Sequence, residues 1–307
     1  MKHLILDSLL EVRMIRRVFL TLTALLYTAA TYAQGLEPLY KKSDSIKVEQ
    51  LLREGARQPS GTNLPLFYAK KFLGVPYVAA TLEVSECERL VVNLQQLDCT
   101  TLVEVATALT LTQRQGRTDF RSFCRQLQNL RYKGGVIQDY TSRNHYFSSA
   151  ILNAEQMGLA HEIKPADCGK DSPFTGKQSL NIYFMSHNPE RYSALKKNSV
   201  LIPAIQETEK KLTGVEVSYI PTKMLGKSKA LRQTVHDGDI LAIVTKREGL
   251  DIAHVGFAVW GKDGCLHLLN ASSLHRKVVI ETKTLQRYLQ GQRLRPGVRV
   301  IRIKGSR

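Results

Sequence analysis

The sequence predicts an α+β protein in which helices come first and an antiparallel sheet follows. Up to about residue 158, apolar residues recur at the three-to-four spacing of amphipathic helices. After Asp237 the pattern becomes short apolar or alternating runs separated by Gly and charge clusters, as in antiparallel strands. The composition, 43% hydrophobic and 23% charged over 307 residues, allows a sizeable core. It excludes a disordered, collagen-like or multi-span membrane chain.

At the N-terminus, Arg13, Arg16 and Arg17 precede the apolar run VFLTLTALLYTAA and the small-residue stretch TYAQ at 31–34. This order reads as a secretory signal peptide over 1–33, cleaved after Ala33, with Met14 as an alternative start. The chain is thus expected to be exported to the periplasm. No Cys lies near the cut, so no stable membrane anchor is expected. The net charge of +17 favours an anionic partner. Cleavage removes four basic and two acidic residues, so the basicity stays with the exported part. Export turns the expectation away from nucleic acid and towards anionic cell-wall material.

Residues 34–62 read as an N-terminal helical extension. Ile46, Val48, Leu51 and Leu52 predict a helix over 43–56, followed by a turn-rich stretch at 58–65. A second helix over 66–73 ends at Gly74 and Pro76. The clearest helix spans 99–111, with Leu102, Val105, Ala106 and Leu109 on one face, and two more are expected over 119–130 and 148–158. The region 165–235 is rich in Pro, Gly, Ser and Lys; outside a helix at 203–212 it is expected to be irregular. Strands are expected over 240–245, 253–260, 266–270, 277–281 and 298–304.

Five cysteines are present: Cys87, Cys99, Cys124, Cys168 and Cys265. Neither a CxxC pair nor HExxH occurs, so a structural zinc site or a zincin has no support, and the thiol chemistry open to Cys99 implies no metal or organic cofactor. Cys99 differs from the others because Asp98 and Cys99 open the clearest helix. Unpaired N–H groups and the positive end of the helix dipole stabilise a thiolate there. The other four are expected to be buried and inert. His254, in IAHVGF at 252–257, lies in a predicted strand and could serve as the base, although a strand histidine is ordinarily a satisfied core residue. Asn270 ends the next strand and could orient His254 in a nucleophile–base–orienter arrangement. Alternation puts Leu266, Leu268 and Asn270 on one face, expected to be that of the Cys99 helix, and His267 and Leu269 on the other.

These residues fall in a fixed order: LGVPY at 73–77, Asp98–Cys99–Thr100, DGD at 237–239, HVG at 254–256 and NAS at 270–272. The series resembles the LG-x-PY, DCS, GD, HVG and HAS elements of NlpC/P60 cysteine peptidases. LQQLDCTTLVE at 94–104 and RNHYF at 143–147 narrow the resemblance to the DUF1460 branch, N-acetylmuramoyl-L-alanine amidase-like proteins. The resemblance implies a papain-like core, a nucleophile-bearing helix on an antiparallel sheet, occupying 63–307 with an insertion at about 112–236. It implies Cys99 as nucleophile, His254 as base and Asn270 as orienter, with Tyr77 and Asp98 beside the substrate. Arg143, His145 and Tyr146 become candidates for substrate binding, Arg143 through a carboxylate. Thr100 stands where Ser is usual, and Asn270 where His is commoner. The implied reaction is hydrolysis of peptidoglycan or muropeptides at the N-acetylmuramoyl–L-alanine amide. A γ-D-glutamyl endopeptidase and a non-catalytic wall-binding module are the alternatives.

Overall fold

The computed structural model describes residues 37–305. The expected signal peptide, its cleavage after Ala33 and the alternative start at Met14 lie outside them. Six helices of at least seven residues are described: α1 Lys42–Ala56, α2 Leu64–Lys70, α3 Cys99–Arg114, α4 Phe120–Arg131, α5 Phe147–Gln156 and α6 Ile202–Leu212. Strands β1 Leu39–Tyr40 and β2 Val91–Val92 form a small parallel pair. The others are β3 Ala160–Glu162, β4 Gly176–Ser179, β5 Glu216–Pro221, β6 Ile240–Val244, β7 Ile252–Trp260, β8 Leu266–Ser272, β9 Lys277–Ile280 and β10 Gly297–Ile303.

These eight strands form one sheet in the order β4-β5-β10-β6-β7-β8-β9, with β3 also on β10 and every pairing antiparallel. The expected strands from 240 onward are all present. The region expected to be irregular supplies more than one helix: β4 and β5 lie in it, and β3 just before it. Their sequences, AHE, GKQS and EVSYIP, are too short and polar to show a buried-strand pattern.

Helix α3 is the pivot. Leu102, Val103, Val105, Ala106, Ala108 and Leu109 are all buried, so it is enclosed on nearly every side by α1, α2, α4 and the sheet. Thr110 and Thr112 donate to the carbonyls of Ala106 and Ala108 four residues back, which satisfies their buried hydroxyls. Val255, Phe257, Leu269 and Ala271 belong to the core that contains α3. Ala258, Leu266 and Leu268 belong to a second core on the opposite face. Asn270 therefore shares the face of the second-core residues Leu266 and Leu268, and the expectation that it shares the face of the Cys99 helix is not met. The meeting with Cys99 survives because Cys99 is the first residue of α3.

Candidate active site

Asp98 is the N-cap of α3. Its Oδ1 accepts from the Thr101 N–H and hydroxyl, each at 2.8 Å, and the Thr101 hydroxyl accepts from the Asp98 N–H at 2.9 Å. This reciprocal cap fixes the first turn, and with it Cys99. The LGVPY stretch fastens that turn to the sheet edge. Its Gly74 and Val75 exchange backbone hydrogen bonds with Val278, and the Tyr77 N–H donates to Arg276. On the other side, the Leu97 N–H donates to Pro76 and the Val78 N–H donates to Leu97. Tyr77 is thereby held near Cys99; burial, then the charges of Cys99 and Asp98, push its phenol above its usual pKa. It remains a hydroxyl donor at neutral pH.

His254 stands near the start of β7, beside a register shift against β6. Its Nε2 is 2.8 Å from the Asn270 Oδ1, and the ring lies close enough to the Cys99 side chain for the two to interact on one cavity. With Nε2 occupied by Asn270, Nδ1 is the nitrogen left for the thiol. Gly256 makes the approach possible: a Cβ there would lie 3.0 Å from the Asn270 Cβ and 2.5 Å from the Leu269 carbonyl. Asn270 is fully buried, and its Nδ2 donates to the Glu281 Oε1 at 3.0 Å. Burial alone would lower the His254 pKa. The interaction with the Cys99 side chain and the bond to Asn270 outweigh it, and the pKa rises above the ordinary 6.5. The ring therefore stays protonated to a higher pH than a free imidazole. If neutral His254 is the base, the acidic limb of a kcat/KM–pH profile is displaced upward from that of a free imidazole; a limb displaced downward would show that burial outweighs the contacts with Cys99 and Asn270.

Cys99 and His254 open onto a cavity of ≈ 250 Å³. One side is the face of α3 made by Thr100, Val103, Glu104 and Thr107; the other comes from the 144–147 segment, α5, Met185 and Tyr192. Among the described residues lining it there is no Lys or Arg, while Glu104 and Asp251 contribute carboxylates. Both carboxylates are engaged. Glu104 pairs with the buried Arg131 at 2.7 Å, and Asp251 accepts from the Ser148 N–H at the start of α5 at 2.6 Å and from the Ile252 N–H.

Of the insertion residues, His145 and Tyr146 line the cavity and Arg143 does not. The Arg143 guanidinium lies 2.7 Å from Glu88 and 2.7 Å from Glu83, against the Tyr140 ring. A cation already paired twice and buried is committed to the fold, which corrects the expectation that it grips a substrate carboxylate. Tyr146 donates to Glu209 at 2.6 Å and accepts from the Met185 N–H, so its polar end is committed as well. The His145 Nε2 bonds the Tyr140 carbonyl. Burial, then the Arg143 charge, pulls the His145 pKa down to about 3, and the ring is neutral at working pH.

His267 is not an orienter. Its ring bonds the Glu281 carbonyl and Asp263, away from His254. We expect Asn270→Ala to reduce kcat severely but incompletely and His267→Ala to cost little rate, as measured by steady-state kinetics. The reverse pattern would refute the assignment. Sequence reasoning missed Glu281, and also Tyr288, which feels the charge of Cys99, and Arg295, whose charge acts on His254. Nothing in the linear sequence marks them, because their proximity depends on the β8–β9 hairpin and the loop before β10. Of the cysteines expected to be buried, only Cys124 is: Cys87 is exposed, Cys168 and Cys265 half-buried, and no disulfide joins any of the five. Among the described residues no group of three or more metal-binding side chains occurs, and no helix is long and apolar enough to cross a membrane.

Comparisons with known proteins agree with this architecture. An N-acetylmuramoyl-L-alanine amidase from Bacteroides uniformis is 36% identical over 80% of this chain and 100% of its own, with a TM-score of 0.72. A Bacteroides fragilis protein provisionally named a xylanase is 39% identical over 78% of this chain and 100% of its own, with a TM-score of 0.71. A Legionella pneumophila protein of the DUF1460 family model shares the fold at 20% identity and a TM-score of 0.65, over 85% of this chain and 95% of its own. Among curated proteins none matches significantly. The family model described as N-acetylmuramoyl-L-alanine amidase-like matches residues 68–298, and the chain belongs to that AmiA-like family.

Proposed function

We propose that the protein is an exported cysteine amidase that hydrolyses the bond between N-acetylmuramic acid and L-alanine in peptidoglycan or released muropeptides. The observation that carries this reading is that Cys99, at the start of α3, and His254, hydrogen-bonded to Asn270, open onto one cavity. His254 takes the Cys99 proton, and the thiolate attacks the amide carbonyl. The tetrahedral intermediate collapses to an acyl-thioester as His254 returns the proton to the leaving amine of L-alanine. Water, deprotonated by the same ring, then releases the muramic acid carboxylate and regenerates the thiol. The Cys99 N–H, at the start of α3, and the Tyr77 hydroxyl are the donors assigned to the oxyanion. In this reading the core is papain-like, of the NlpC/P60 type, and residues 1–33 are a signal peptide directing the enzyme to the periplasm.

A glycosidase is disfavoured because such enzymes need two available carboxylates flanking the bond, whereas Glu104 and Asp251 are occupied. A purely wall-binding module would have no use for Cys99 beside a His254 that Asn270 orients, on one cavity. Mass spectrometry of products from defined muropeptides tests the bond. A free sugar acid with a peptide beginning at L-Ala supports the amidase; a saccharide retaining L-Ala-D-Glu would make the enzyme an endopeptidase.

A further inference from the structure

We infer that Glu281 is a positioning residue that sets which nitrogen of His254 carries the proton; this rests on the reading of Cys99 and His254 as nucleophile and base. A neutral imidazole can accept a thiol proton at Nδ1 only if its own proton sits on Nε2. That tautomer requires an acceptor opposite Nε2, and an asparagine amide can present either its oxygen or its NH2. Glu281 decides between them. Its Oε1 lies 3.0 Å from the Asn270 Nδ2 and accepts from it. With the amide turned over, the Asn270 oxygen would face that carboxylate oxygen with no proton between two acceptors. Its NH2 would then face His254 and move the ring proton to Nδ1, where it blocks the base.

The carboxylate is itself held. Glu281 is 5% exposed. Its N–H donates to Leu268 at 2.8 Å, its carbonyl faces the His267 Nδ1 at 3.0 Å, and its Oε2 faces the His275 Nε2 at 3.2 Å. His267 meets Glu281 only through its main chain, so its loss leaves the carboxylate on Asn270. Arg295, before β10, is a further charged group whose field reaches His254, and Tyr288, from the helical turn beyond β9, is a further titratable group that feels Glu281 and Cys99.

The test is nitrogen-15 NMR of the histidine rings, above the His254 pKa and without substrate, with the signal assigned through His254→Gln. We expect the neutral ring of the wild type to carry its proton on Nε2. Glu281→Ala should raise the Nδ1–H fraction, slow alkylation of Cys99 by iodoacetamide, and lower kcat at least tenfold with KM within twofold. Glu281→Gln, whose amide oxygen can still accept from Asn270, should keep the tautomer and most of kcat. A wild-type ring protonated on Nδ1 would overturn the inference, and that spectrum decides even if Glu281→Ala does not fold. Loss of activity in Glu281→Ala with an unchanged tautomer would also overturn it, by making the role structural. The spectra involve no substrate, so they can fail while the product analysis upholds the amidase, or the reverse.

Discussion

Replacing Cys99 by alanine is expected to abolish turnover, by on the order of 10⁴-fold or more, and to leave the protein folded. The thiol is the only nucleophile in the proposed series, and His254 alone has nothing to activate but water. The fold should be indifferent to the change. Cys99 is half-buried, the cap of α3 is made by Asp98 and Thr101, and alanine is a strong helix former. Product formation from a defined muropeptide, read beside thermal unfolding, separates the two effects. Full activity in Cys99→Ala would show that another group is the nucleophile. A loss of activity that tracks a loss of folded protein would show a structural residue.

Arg143→Ala should have the largest effect on stability. The wild-type guanidinium meets both oxygens of Glu88, whose side chain is 4% exposed, and Glu83 as well. Removing it strands a buried carboxylate, which costs about 3–5 kcal/mol and lowers the unfolding midpoint by on the order of 10 °C. Replacing Arg143 and Glu88 together by leucine should recover much of that loss, because no unpaired charge then stays buried. KM on the true substrate should change little in whatever folds. A normal unfolding midpoint with a raised KM would instead return Arg143 to substrate binding.

The sequence was most legible where one element decides its own state. The periodic apolar residues of α1 and α3, and the alternating runs of β6 to β10, appear at nearly the expected boundaries. The meeting of Cys99, His254 and Asn270 could be anticipated because each stands at a helix start or in a strand with a distinctive neighbour. Partnership across the chain was harder to read. Arg143 in RNHYF looked available because Glu83 and Glu88, sixty and fifty-five residues away, gave no sign that they fold against it. Glu281 was hidden for the same reason. β3 and β4 were missed because strands paired on one side bury few side chains and need little apolar sequence, and β5, between β4 and β10, because EVSYIP has no clear apolar alternation.

The unlike charge of cavity and exterior has a kinetic consequence. A chain of net charge +17 draws an anionic polymer towards it through a long-range field that salt weakens within a Debye length of about 8 Å at physiological ionic strength. The cavity, with two carboxylates and no Lys or Arg among its described lining residues, adds little to that attraction. Capture and chemistry are therefore governed by different forces. Raising the salt concentration should slow encounter with a large charged sacculus while leaving the turnover of bound substrate nearly constant. A small fragment, which presents few charges to the outer field, should hardly sense the change.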